Sequence, residues 1–114
     1  MGETITDQDK EHFRVRWARL SASEQMANIG SEVGRALNWR NKGNADLSRK
    51  AIFRALELLD LSLDSVRPFS RLKEFARLRE ALADYFFGSN QFSSSEKLWR
   101  SYFDHFNYFA RRNR

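Results

Sequence analysis

Apolar residues in this chain recur every three to four positions and never alternate in twos over any length, which is the period of amphipathic helices rather than strands. Five helical segments follow from that pattern. The first runs from about Asp7 to Leu20, with Phe13 and Trp17 one turn apart, and its acidic start and basic end suit the helix dipole. The second opens at "SASE", where Ser21 and Glu24 stand at capping-box spacing. It carries Met26, Ile29, Val33, Ala36 and Leu37 as one stripe, and Gly43 supplies a stop. The third runs from about Ala45 to Leu61. Its broad face of Leu47, Ala51, Ala55, Leu58 and Leu59 predicts a central helix touching several neighbours.

"DSVRPFS" is a break, because the residue before Pro68 avoids helical geometry. The fourth segment runs from about Phe69 to Phe87 and is closed by Gly88, with a stripe of Leu72, Phe75, Ala76, Leu82, Ala83 and Phe86. "GSNQFSSS" reads as a polar connector. Ser93 and Glu96 repeat the capping-box spacing and open the fifth segment, which runs to about Arg111 with Leu98, Tyr102, Phe106 and Phe109 on one face. Short connections between amphipathic helices predict an all-α fold, an antiparallel bundle of about five helices. One domain over residues 1–114 is expected, with residues 1–6 and 112–114 frayed.

Composition narrows the chemistry. The chain has no cysteine, which excludes disulfides, thiolate metal sites and a Cys nucleophile and suits a reducing, cytoplasmic setting. With only His12 and His105, a His-rich metal site is not expected. Asp60 and Asp64, one turn apart, read as solvated carboxylates rather than a two-ligand site, so neither metal nor cofactor is expected. No run approaches the roughly 20 apolar residues of a membrane span, and no signal peptide is read at the start. "MGETIT" fits the myristoylation pattern at Gly2 only formally. The formal net charge is +5, with Arg supplying 15 of the 20 basic residues. Such Arg-rich chains admit an RNA partner, but interspersed carboxylates serve helix-surface ion pairs equally well.

Four positions stand out as candidate sites. Gly30 and Gly34 lie mid-helix, where each Gly costs roughly 1 kcal/mol relative to Ala. Close approach of another helix, within the bundle or from a second subunit, would offset that cost and makes them candidate interface residues. Trp39 falls opposite the stripe beside Glu32, Arg35 and Lys42, where an outward Trp with Arg35 can stack a base or anchor a protein. Cover by Phe13 or Trp17 of the first helix is the packing alternative. Arg79 interrupts the fourth stripe, so it needs a carboxylate, carbonyls or an anionic ligand.

The tail "RSYFDH" places Arg100 five residues before His105. On one helix the two side chains stand about 140° apart and cannot meet. Asp104, one turn on, is the expected partner of Arg100, and His105 is expected at the edge of the aromatic face. The late Arg…His spacing and the bundle size resemble the HEPN superfamily of small α-helical proteins. That resemblance implies metal-independent RNA cleavage by Arg100 and His105 shared across a dimer. Alternatively, it implies a binding role beside a nucleotidyltransferase-type partner. The residues themselves assemble no catalytic group within one chain. The reading they support is a cytoplasmic protein-interaction module, expected to be a homodimer, with ribonuclease activity as the alternative.

Overall fold

A computed structural model describes residues 6–65 and 69–112, with side chains described over 6–65 and 71–108. Gly2, Pro68 and the last residues of "RRNR" lie outside those described. Five helices follow in order: α1 Asp7–Arg19, α2 Ala22–Asn41, α3 Ala45–Ser65, α4 Phe69–Phe87 and α5 Glu96–Arg112. No strand occurs among the described residues.

The helix starts follow from side chains that satisfy free backbone NH groups. At α2, Ser21 Oγ accepts from the Glu24 NH at 3.1 Å while Glu24 accepts from the Ser21 NH at 3.0 Å. Thr6 and Asp9 form the same reciprocal box at α1. Asn44 caps α3 by accepting from the Leu47 NH. Gly43 ends α2 with φ of 78°, a left-handed conformation that favours glycine.

Two expected boundaries move. Ser95, not Ser93, caps α5, accepting from the Leu98 NH at 3.1 Å. Ser93 has φ of 54° and belongs to the preceding turn, so it cannot play the cap. Helix α3 continues to Ser65 rather than ending at Leu61, because no residue there interrupts helical hydrogen bonding.

The helices run antiparallel, as contact pairs show. Between α2 and α3, Ser48 donates to the Ala36 carbonyl near the turn and Ser62 donates to Gln25 at the far end. Between α3 and α4, Phe53 stacks on Phe87 and Asp60 pairs with Arg79. Between α2 and α5, Asn41 meets Glu96, Asn38 meets Arg100, and Gly30 meets Phe103. In each pair residue numbers rise on one helix as they fall on the other.

Helix α3 is central, packing against α1, α2 and α4, while α5 lies on α2. One core takes residues from all five helices, including Trp17, Ile29, Ile52, Leu59, Phe75 and Phe103. The α2 stripe is buried as its period predicts. In α4 the buried line is Phe75, Leu78 and Leu82, and Ala76 is exposed, so the face is rotated from the expected one. In α5 the rotation is larger: Trp99, Phe103 and Phe106 are buried, whereas Leu98 is exposed. Both helices are apolar on more than one side, and the choice of side is made by α2 and α3.

A closed polar ring sits inside this core. The Trp17 indole NH donates to Ser62 Oγ at 3.0 Å, the Ser62 hydroxyl donates to Gln25 Oε1 at 2.7 Å, and Gln25 Nε2 donates to the Trp17 carbonyl at 2.9 Å. It joins α1, α2 and α3, and each buried donor is matched.

Candidate interaction groove

Helix α5 rests on α2 and α4 rests on α3, so α4 and α5 flank the two central helices. They meet each other through side chains: the Tyr102 hydroxyl donates to Glu74 at 3.3 Å, and the Tyr85 ring contacts the Trp99 ring edge-on. Between them a groove of about 540 Å³ opens to solvent. Leu78, Ala81, Trp99 and Tyr102 line it from the two helices. Leu98 and Phe92 stand on its rim, 51% and 59% exposed. Lys73 and Arg77, one turn apart on α4, supply cations along the same groove.

The loop before α5 positions Phe92. The Asp84 carboxylate accepts from the backbone NH of Gln91 at 2.9 Å and of Phe92 at 3.0 Å. Asn90, with φ of 57°, accepts from the Ser94 NH and donates to the Ser94 carbonyl. Asn tolerates this left-handed conformation because its side chain bonds locally. Thus "GSNQFSSS" is a clasped turn that presents an aromatic side chain, rather than a plain connector.

The electrostatics of the groove are one-sided. Glu74 lines it, but Arg71 pairs with Glu74 at 3.6 Å and the Tyr102 hydroxyl occupies another of its oxygens. Burial, then the Glu74 charge, raises the Tyr102 pKa, so the phenol stays a protonated donor. Lys73 and Arg77 make no ion pair among the described residues. The Trp99 indole NH is buried without a hydrogen-bond acceptor among the described residues. A smaller cleft of about 290 Å³ lies between Arg40, Arg49, Phe86 and Phe87. There the Arg40 guanidinium is held over the Tyr85 ring at 5.0 Å.

The residues singled out from sequence are dispersed. Gly30 is buried under Phe103 of the same chain, so the close approach expected there is made by α5. Gly34 has nothing within 4 Å of where a Cβ would stand, so the close contact expected there is not made among the described residues. Trp39 is partly exposed with Lys42 Nζ 5.2 Å from its ring centroid. Arg35 is committed to Glu32 at 2.7 Å. Arg79 holds Asp60 with Nε–Oδ1 at 2.7 Å and Nη2–Oδ2 at 3.4 Å. That pair also answers for Asp60 as a metal candidate, and no group of three metal-ligating side chains exists among the described residues.

Arg100 does not use Asp104. It donates to Glu96 at 3.1 Å and to Asn38 at 2.9 Å, because α2 lies on that side of α5. His105, expected at the edge of the aromatic face, is exposed, with its ring edge-on to Phe106. The groove residues Lys73, Arg77, Phe92, Leu98 and Trp99 escaped sequence reasoning, since nothing local puts a mid-α4 cation beside a rim residue of α5. Comparison of the chain with protein-family models, curated proteins and solved structures gives no match. Among the described residues no helix is long and apolar enough to cross a membrane.

Proposed function

We propose that this chain is a protein-interaction module that works through the α4–α5 groove. The observation that carries the proposal is an open groove with Phe92 and Leu98 exposed on its rim and two cations that make no ion pair among the described residues. Large apolar side chains gathered around a cleft are the usual mark of a binding surface, whereas single exposed ones are ordinary. The proposal includes a reducing, cytoplasmic location, supported by the absence of cysteine. It also includes self-association as a homodimer, for which the outward Phe53–Phe87 stack offers apolar area.

A photoreactive amino acid placed at Leu98 of the full chain tests the groove. Irradiation in cell extract is expected to give one discrete adduct, identifiable by mass spectrometry, that the same group placed at Val15 does not give. Absence of such an adduct would remove the reading. Sedimentation at micromolar concentration tests the homodimer, and a single species of 13.5 kDa would remove that part.

A further inference from the structure

The groove's lining specifies the kind of partner. We infer that it takes an amphipathic helix of another protein, apolar on one face and rich in Asp or Glu beside it. This inference rests on the interaction-module reading and adds the chemistry of the occupant.

Two observations converge on that chemistry. First, Leu78, Ala81, Trp99 and Leu98 are aliphatic or indole surface over much of the cleft, which suits side chains at i, i+3, i+4 and i+7 of a docked helix. Second, the charge left available is positive. Glu74 is occupied by Arg71 and Tyr102, whereas Lys73 and Arg77 pair with no carboxylate among the described residues. Cations beside an apolar cleft complement an acidic segment and repel a basic one.

Other occupants fit less well. RNA needs faces for base stacking and a run of cations for phosphates. Here Glu74 lies in the cleft and two cations line it, short of the run of cations that a phosphate backbone calls for. A second copy of the chain brings a net charge of +5 toward Lys73 and Arg77.

The test is selection from a displayed library of helical peptides. Leu or Phe is fixed at i, i+3, i+4 and i+7, and the remaining positions are drawn from Asp, Glu, Lys, Arg and Ser. Full-length wild type is expected to select sequences enriched in Asp and Glu. Leu98→Glu and Phe92→Glu should each weaken the selected peptides on the order of tenfold or more, because each removes a large apolar contact and sets a negative charge against an acidic peptide. Both residues are exposed, so the variants are expected to melt like wild type. The double charge reversal Lys73→Glu/Arg77→Glu should shift the selection toward Lys and Arg, which a general attraction to a basic chain would not do.

The outcomes separate the two levels of inference. Selected peptides that depend on Leu98 but carry no acidic excess overturn the acidic partner and leave the interaction reading standing. Selected peptides indifferent to Leu98 and Phe92 overturn the groove itself. Competition by an oligouridylate that depends on Lys73 and Arg77 overturns the inference in favour of nucleic acid. A wild-type dimer dissociated by Leu98→Glu overturns it in favour of a second copy.

Discussion

Gly30 of α2 lies so close beneath Phe103 of α5 that a Cβ added at Gly30 would stand 2.7 Å from ring carbon Cδ1 and 2.8 Å from the Phe103 Cβ. The obstacle includes the root of the side chain, so a rotamer change does not remove it and α5 itself has to move. Gly30→Ala is therefore expected to lose about 1–3 kcal/mol by overpacking, less the roughly 1 kcal/mol of helix propensity gained. Gly34→Ala meets nothing within 4 Å and is expected to gain up to about 1 kcal/mol. Chemical denaturation of the two variants checks both signs, and equal effects would contradict this packing.

Ser62 is the hub of the buried ring, accepting from Trp17 and donating to Gln25. Ser62→Ala leaves a buried donor and a buried acceptor unmatched. A loss of about 2–4 kcal/mol is expected, from roughly 1–3 kcal/mol per orphaned group. Ser65→Ala, whose hydroxyl donates only to a carbonyl one turn back, should change stability little by comparison. Similar denaturation midpoints for the two variants would refute the role assigned to the ring.

Arg79 and Asp60 form a surface pair, with side chains 40% and 55% exposed. Exposed pairs contribute between zero and about 1 kcal/mol, because water already solvates both charges well. Arg79→Met keeps the buried stem volume and is expected to lower stability by no more than about 1 kcal/mol. A loss above about 3 kcal/mol would show that Arg79 neutralises a charge water cannot reach.

Glu96 ties α5 to α2. Hydrogen bonds from Arg100 first, and from Asn41 second, hold its carboxyl below the usual glutamate range, against a smaller opposing effect of desolvation. A carboxylate with a depressed folded pKa contributes stability above its unfolded pKa, and that contribution is lost as pH falls through the folded value. Between those two values wild type should lose stability faster than Glu96→Gln. Carbon-detected NMR titration should also show the Glu96 midpoint rising in Arg100→Gln, and an unmoved midpoint would exclude Arg100 as the cause.

Arg100 and His105 are expected not to act as a unit within one chain. The Arg100 guanidinium is directed to Glu96 and Asn38, while His105 is exposed on the helix. Cleavage of single-stranded RNA in chelator should be indistinguishable for wild type and His105→Ala. A general base contributes about 10²–10⁴-fold, so a folded variant that loses a robust wild-type activity would reinstate the shared-dimer ribonuclease.

Local interactions made much of this protein readable from its residues alone. Helix number, the Ser21–Glu24 cap, the Gly43 stop and the buried stripe of α2 depend on neighbours within a few positions, and those are written in order along the chain. The central place of α3 was legible for a related reason, since an apolar face that broad has to be covered from several sides.

Choices between equivalent faces were decided only by tertiary packing. Helix α5 offers Leu98, Trp99, Tyr102, Phe103 and Phe106, and two overlapping stripes satisfy the same helical period. Gly30 resolves the ambiguity, because the missing side chain on α2 leaves room for Phe103 and so turns Trp99 inward and Leu98 outward. That rotation sends Arg100 to Asn38 and Glu96 instead of Asp104, and it places Leu98 on the rim of the groove. Periodicity reports how many faces of a helix are apolar. Which face is buried depends on a partner tens of residues away, and the groove is made of what that partner leaves uncovered.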